Sequence, residues 1–577
     1  MIKNDMTIKI GGEAGQGVAS SGAGLAKTLS RGGLHLFSLQ DYMSRIRGGH
    51  NFSQLKVSEE PLYSHSDEIH LLLALVPETI ERHKDELVPG GGIIYDEDMD
   101  VDAQALINAG LKPFPVPLVH IAEEVGSKIM TNTAALGAAT GVTDYDLKYL
   151  DDVLEESYKK KGHKVVDANQ EVARKAYDYV QEHYAADFEF KLEPVEAPDR
   201  MVINGNHAFC LGAVLGGCRF ISAYPMTPAT SIIEWMSTHA DRYGIVAKHT
   251  EDELAAILMA IGANHAGVRG MTSTSGGGFS LMVESLGLAG ITETPLVAVD
   301  VQRVGPSTGM PTRSEQADLL FVLRASHGEF PRFVLAPGTP EEVFNIGWRA
   351  FNLAEKYQTP VIVLSDTFLA NSLRTIERED FGFEDVKIDR GELLTDEELD
   401  EMTEEYKRYA LTKSGISPRA IPGHPNAVFM ASSDEHREDG HFADEDPENR
   451  VQMADKRLRK MEAMATEMRA PAQYGPADAE ITIVCWGSSY GPVREAVDQL
   501  NQDGDKANLL HFTDIFPFPT EKAQPLLDKA KRLINVESNA TGQFATLLKT
   551  YADVTIDEQI LRYDGQPLSP DYILARV

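Results

Sequence analysis

Three stretches in which a β-like run passes through a glycine-rich or proline-rich turn into a helix of small and apolar residues predict an α/β protein of three doubly wound α/β domains with an extended acidic connector. The first is Met6 to Ile10 leading into GGEAGQGVASSGAGLAKTLSRGG. The second is Phe220 to Ala223 with the YPMTP turn, and the third is ITIVCWGSSYGPVREAVDQL near the end of the chain. A length of 577 residues corresponds to about four domains at roughly 150 residues each, ample for several separate cores.

In chain order, residues 1–187 read as the first domain. Alternation over Met6 to Ile10 gives a strand, the glycines a turn, and the runs HLLLALV (His70 to Val76) and GIIY (Gly92 to Tyr95) two more strands separated by helical stretches. Residues 188–200, FEFKLEPVEAPDR, are acidic, proline-containing and aperiodic, which predicts a linker. The second domain, 201–379, repeats the alternation. Helices are expected at Ala208 to Gly217 and Glu251 to Ala266, and strands at Phe220 to Ala223, Gly270 to Ser273, Pro295 to Val301 and Pro360 to Leu364. Strands alternating with crossover helices make a parallel sheet. Residues 380–468 form the charged connector, with TDEELDEMTEEYKRY and SSDEHREDGHFADEDPENR, expected to expose most of its charges and to wrap a neighbouring domain or subunit. The alternation restarts over 469–577 with ITIVCW, NLLHF and LINVE.

Composition narrows the function. A net charge of −34 argues against nucleic acid and against an anionic membrane surface, both of which demand a basic face. No apolar run reaches eighteen residues and the opening MIKNDMTIKIGG lacks a basic and apolar leader pattern, so a cytoplasmic protein is expected. Three cysteines, Cys210, Cys218 and Cys485, without CxxC spacing can supply neither a disulfide framework nor an iron–sulfur cluster. The histidines show no paired metal-ligand spacing, and no GxSxG elbow occurs, so no metal site and no serine hydrolase is expected.

Two loops of the first domain suit an anion. Gly12, Gly15 and Gly17 permit close backbone approach before a helix N-terminus, which favours phosphate, although their GxxGxG order fits neither the dinucleotide fingerprint nor the P-loop. A purely structural turn is the alternative. The second loop, SRIRGG over residues 44–49, offers Arg47 and free glycine amides, or else is an ordinary basic turn. In the second domain Glu253 opens an apolar helix, where an acid commonly does no more than complement the helix dipole. Its company favours more: Thr227 between two prolines, TSTSGGG after the next strand, and VQRVGPSTGMPTR with Arg303 and Thr312 after the strand beyond. Three successive strand ends with polar, glycine-rich loops predict a binding site at the carboxyl edge of a parallel sheet.

Taken together and in order, SRIRGG, YPMTP, EDELAAI with GANHAGVRGMTSTSGGG, QRVGPSTGMPT with SEQADL, SGISPRAIPG with EDPENR, WGSSYGPVREA and NVESNATGQFATLL resemble the 2-oxoacid:ferredoxin oxidoreductases, specifically the large α subunit with a fused γ domain. The resemblance covers nearly the whole chain. It implies a γ domain over 1–187, a pyrimidine-binding thiamine diphosphate domain over 201–379 and a transketolase C-terminal-like domain over 469–577. It further implies that Glu253 matches the glutamate bonded to N1′ of the thiamine pyrimidine, where a carboxylate favours the imino tautomer that takes up the thiazolium C2 proton. Thr227 and Arg303 match positions that contact the substrate carboxylate, with Thr312 in the same loop. Coenzyme A is implied at or near the γ domain, making Gly12, Gly15, Gly17 and Arg47 candidates.

A GDG motif with a following Asn, which carries diphosphate through Mg²⁺, and the cysteines for a [4Fe-4S] cluster are absent from the sequence, and the family keeps both in a separate β subunit. The resemblance thus implies half an active site, completed by that β subunit, in a dimer of αβ heterodimers delivering electrons to ferredoxin. The expected reaction converts 2-oxoglutarate, coenzyme A and oxidised ferredoxin to succinyl-CoA, CO2 and reduced ferredoxin, running oxidatively or as reductive CO2 fixation, with pyruvate or branched-chain 2-oxoacids as alternative substrates. Two rival readings stand beside it: a nicotinamide or flavin dehydrogenase built on the first domain, and a noncatalytic assembly subunit.

Overall fold

The structure, a computed structural model, describes residues 2–44 and 48–577. They divide into two compact units: Met1–Ile203 with Asn371–Asp380 and Ser569–Tyr572, and the remainder from Asn204 onwards.

The first unit is built on an eight-stranded sheet in the spatial order Lys112–Val116, Leu87–Asp96, Ile69–Ala74, Met6–Glu13, His50–Ser58, His35–Asp41, Arg374–Glu377 and Arg200–Ile203. The first four strands run parallel and the rest pair antiparallel. Parallel strands covered on both faces need apolar side chains on both. Ile8, Ile10, Leu71 and Leu73 accordingly face a core formed with the helices Val18–Arg31, Thr131–Val142 and His163–His183, while Leu72, Ala74 and Ile93 face a second, smaller one. The helices Thr131–Val142 and His163–His183 approach closely because Gly137 faces the Ala173 backbone and Gly141 the Tyr177 backbone, leaving no room for a side chain. Within residues 188–200, Phe190–Lys191 pairs parallel with Ile2–Lys3, and the pairing strand Arg200–Ile203 begins at the last of them.

The second unit contains two sheets. Val246–His249, Phe220–Ala223, Gly270–Thr274, Leu296–Gln302, Pro360–Asp366 and Phe333–Leu335 lie side by side and parallel, and Asp514–Phe516 closes the edge antiparallel to the last of them. The other sheet runs Ala472–Tyr474, Ala507–Phe512, Ile481–Trp486, Arg532–Glu537 and Glu558–Leu561, parallel except for its first strand. One apolar core joins them, with Leu286, Ala298 and Leu364 packed in the same cluster as Trp486, Phe512 and Phe544. The α/β class expected from the alternating runs is the class observed.

The connector is largely irregular before its helix Pro447–Glu467. Its acids mostly face solvent, as expected, but a basic minority does not. Glu355 accepts from Arg269 at 2.7 Å, Arg390 at 2.6 Å and Arg419 at 2.8 Å. Glu293, fully buried, pairs with Lys456 at 2.5 Å and with Lys460, and Arg408 donates to its carbonyl at 2.7 Å. A buried carboxylate is tolerated only with such partners.

Candidate functional site

At the start of the helix Glu253–His265, Asp252 accepts from the Ala255 amide at 2.8 Å and caps the first turn. The cap frees Glu253 from that duty. The helix buries Glu253, Ala256, Ile257, Ala260 and Ile261 at helical spacing, so the carboxylate is drawn inward with the apolar stripe. It is 4% exposed and its Oε1 has no hydrogen-bond partner. An unpaired buried carboxylate oxygen costs about 1–3 kcal/mol or more. That cost marks an atom shaped for something other than the fold.

What surrounds Glu253 comes from the next strand and helix. Gly278, in the first turn of the helix Gly276–Ile291, lies so close that a Cβ there would stand 2.5 Å from Glu253 Oε1 and closer still to Thr274 Oγ1. Thr274 Oγ1 in turn lies 3.8 Å from the sulfur of Met226, in the PMTP turn. That turn is fastened from below by Asn206, whose Nδ2 donates to the Pro228 carbonyl at 3.0 Å and to Ser231 at 2.8 Å. Arg303 Nη1 donates to the Thr227 carbonyl at 2.7 Å, and burial draws the guanidinium pKa below its usual value. Glu253, Thr227 and Arg303 therefore follow the first, second and fourth strands of this sheet, with the TSTSGGG loop after the third between them.

Thr312 lies on the return of the loop that follows Arg303. Its two limbs are joined where Val304 bridges Met310 and donates to the Arg313 carbonyl at 3.2 Å. Farther along, Gln316 fixes the loop: its side chain donates to the Trp486 carbonyl at 3.0 Å and accepts from Ser489 and from the Ser538 amide at 2.7 and 3.0 Å. Thr274 and Gly278 lie in the TSTSGGG loop and Gln316 in SEQADL, but their contacts, and Asn206 altogether, are not marked by any local pattern in the sequence.

In the first unit Gly12 lies inside the strand Met6–Glu13, which runs three residues beyond the expected Ile10. Gly15 and Gly17 make the turn after it, with φ of 93° and 77°, a region natural to glycine. Gly17 opens the helix Val18–Arg31 without a side-chain cap. Gly15, Gln16 and Gly17 border a cleft of about 850 Å³ shared with Asp96, Lys128 and Asn132. Asp96 is spent on backbone, accepting from Val119 at 2.7 Å and Asp98 at 3.1 Å. Arg47 lies outside the described residues.

A sheet whose carboxyl edge presents a buried acid, a threonine turn and an arginine is the arrangement of a cofactor-dependent α/β enzyme component. Residues 211–456 match the family described as "Pyruvate flavodoxin/ferredoxin oxidoreductase, thiamine diP-bdg". Residues 7–179 match "Pyruvate ferredoxin/flavodoxin oxidoreductase" and 479–572 match "Pyruvate:ferredoxin oxidoreductase core domain II". The 2-oxoacid:ferredoxin oxidoreductase subunit alpha of Saccharolobus solfataricus is 33% identical, with 98% of this chain and 96% of that one covered. The 2-oxoglutarate oxidoreductase subunit KorA of Mycobacterium tuberculosis is 28% identical over 94% of this chain and 87% of its own. Among solved structures, a 2-oxoglutarate:ferredoxin oxidoreductase from Magnetococcus marinus with 2-oxoglutarate, coenzyme A and succinyl-CoA bound has a TM-score of 0.92 and 34% identity, covering 99% of each chain. The chain belongs to the 2-oxoacid:ferredoxin oxidoreductases, as an alpha subunit.

Proposed function

We propose that this subunit, with a β subunit carrying Mg²⁺ and an iron–sulfur cluster, converts 2-oxoglutarate and coenzyme A to succinyl-CoA and CO2 while reducing ferredoxin. The observation that carries the substrate is the similarity, over 99% of both chains, to a structure with 2-oxoglutarate, coenzyme A and succinyl-CoA bound. Archaeal relatives named only for 2-oxoacids leave pyruvate and branched-chain substrates as the alternatives that assay must separate.

The free Oε1 of Glu253, buried and backed by Gly278, fits the N1′ nitrogen of a thiamine pyrimidine. Thiamine diphosphate, when bound, supplies the electron sink for decarboxylation of a 2-oxoacid. Glu253 holds a proton at N1′ and so sets the tautomer of the ring. Arg303, tied through Thr227 to the PMTP turn, orients the substrate carboxylate with Thr227 and Thr312. Losing either Glu253 or Arg303 is expected to remove about 3 kcal/mol or more of transition-state stabilisation. In the first unit, the uncapped amides that follow Gly17 suit the diphosphate of coenzyme A, with Gly12, Gly15 and Arg47 as neighbouring candidates.

The apolar surface around Glu253 supports a half-site. Leu254, Leu258 and Met259 stand exposed on the same helix that buries its other face, and Leu281 stands exposed on the adjoining helix. A helix apolar on opposite faces calls for cover on both. The β subunit is the occupant that also completes the site.

The test is viologen reduction by the anaerobically co-purified complex with 2-oxoglutarate, pyruvate and 2-oxoisovalerate, each with and without coenzyme A. CoA-dependent reduction by 2-oxoglutarate is expected, abolished in Glu253→Gln. Activity with none of the three would remove the catalytic reading, and activity confined to pyruvate or 2-oxoisovalerate would replace the substrate.

A further inference from the structure

Glu253 is not the only unpaired acid near this sheet edge. Asp300 stands on the strand Leu296–Gln302, in register with Thr274 on one side and Leu364 on the other. It is wholly buried, and neither carboxylate oxygen has a hydrogen-bond partner. Two residues farther along the strand, and so on the same face, Gln302 Oε1 accepts from the Asp318 amide at 3.0 Å. This bond fastens the Asp318 backbone to the side chain two residues beyond Asp300. The Asp318 carboxyl lies against the helix Gly276–Ile291: a Cβ on Gly276 would stand 2.9 Å from its Cγ. Ser275, the residue before that helix, carries another buried hydroxyl without a partner.

The charges acting on this pair are all acidic. Asp318 raises the pKa of Asp300, and Glu315, whose Oε2 accepts from the Gly305 amide at 3.2 Å, raises that of Asp318, in both cases after burial itself. At the other end of the glycine turn, against Gly278, stands Glu253. Asp318 is pushed up to about 6, so it ionises first, and its anion benefits from the adjoining helix N-terminus. Asp300 has no donor to receive a negative charge. A carboxyl so enclosed, without a donor and acted on by a neighbouring acid, keeps its proton rather than ionise as well.

We propose that Asp300 keeps its proton beneath the Gly276–Gly278 turn while Asp318 is ionised, and that Asp300 is thereby a positioning residue for Glu253. The second half of this inference rests on the reading of Glu253 given above. Gly276 adjoins Asp318 and Gly278 adjoins Glu253, so one turn of backbone separates the pair from the catalytic carboxylate. Loss of that proton places two like charges under that turn. Their repulsion is relieved by lifting the turn, which withdraws the wall behind Glu253 and Thr274.

Infrared difference spectra of the assembled complex, wild type minus Asp300→Asn, test the proton. A protonated carboxyl C=O band that shifts in D2O is expected at neutral pH. In Asp318→Asn the band should persist but titrate away at a pH lower by roughly one unit or more, because the neighbouring charge is gone. No such band at neutral pH overturns the proton on Asp300. Thiamine diphosphate titrated into the complex stripped of it tests the positioning. Wild-type affinity should fall about tenfold per pH unit above the midpoint at which the band disappears, while Asp300→Asn, neutral at every pH, holds its neutral-pH affinity throughout. An alkaline loss identical in wild type and Asp300→Asn overturns the positioning role. Glu253→Gln, assayed alongside, keeps the two readings apart: activity retained there removes the site reading itself, whereas an unaltered pH profile in Asp300→Asn removes only the positioning.

Discussion

Gly278 shows most directly how a single position sets the chemistry of this sheet edge. It has an ordinary helical place in the first turn of its helix, yet the space a Cβ would need is taken by Glu253 and Thr274. Neither neighbour can yield cheaply, because Thr274 is wholly buried and Glu253 is nearly so. Gly278→Ala is therefore expected to displace the Glu253 carboxylate by a few tenths of an ångström or more. On the role proposed for Glu253, the expected readout is a loss of ten- to a hundredfold in kcat, about what misplacement of a catalytic group costs, with a thermal midpoint shifted far less. Unchanged kcat would mean that the carboxylate has room to retreat. That Glu253, Thr227 and Arg303 stand beyond strand ends of one sheet is legible in the sequence, because each lies in the turn or helix start after a recognisable strand. The placing of Gly278 and Asp300 is not, since their proximity to Glu253 and Asp318 depends on the register of parallel strands, which no local pattern of residues carries.

At the scale of elements, the connector inverts the usual meaning of a charged segment. Counting charge along 380–468 predicts a solvated face, and the acids follow that rule. Arg390, Arg419, Lys456 and Lys460 instead converge on Glu355 and Glu293 of the underlying domain, which sequence composition cannot reveal because it counts charges and not partners. Three guanidinium groups around one carboxylate make Glu355 the more vulnerable point. Glu355→Ala should cost about 3–5 kcal/mol, since it strands buried cations. The expected sign is rapid proteolytic nicking within residues 381–446 in the variant and not in wild type. A second surprise of connectivity is that Asp514–Phe516 leaves the run NLLHFTDIFPFP to pair with Phe333–Leu335 in the other sheet. The eight-stranded sheet carries a pH liability of its own. His35 bonds Thr375 at 3.2 Å and His50 bonds Thr79 at 3.1 Å. Burial first, and then neighbouring Arg200 and Arg374 for His35 and His83 for His50, lowers both imidazoles to about 4. An imidazole neutral in the fold but protonatable when unfolded means that the unfolded chain binds more protons between pH 6.5 and 4. Stability is thus lost as pH falls through that window, by up to roughly 3 kcal/mol per imidazole. Urea midpoints measured from pH 7 to 4 should fall, and His35→Gln should flatten part of that slope.

For the whole molecule, a net charge of −34 and an exposed apolar face stand in tension. Self-repulsion of that size disfavours association of like chains, yet Leu254, Leu258, Met259 and Leu281 offer apolar surface beside the buried acid of the site. Nonspecific cover by another copy would have to bring two strongly acidic surfaces together. The β subunit proposed above meets no such penalty if its facing surface is less acidic or basic. The consequence is a separation of stability from assembly. Leu258→Glu lies on an exposed position, so the isolated chain should keep its unfolding free energy within about 0.5 kcal/mol. In the complex the same carboxylate would be buried without a partner, at a cost of several kcal/mol. Co-purification of the subunits and viologen reduction should therefore fail together in Leu258→Glu while the circular dichroism and melting of the chain alone are preserved. Retained assembly with full activity would place the subunit interface on a different face. Loss of the chain's own fold would instead show that Leu258 supports the core, and Met259→Glu, exposed to the same degree, then decides whether this face docks the partner.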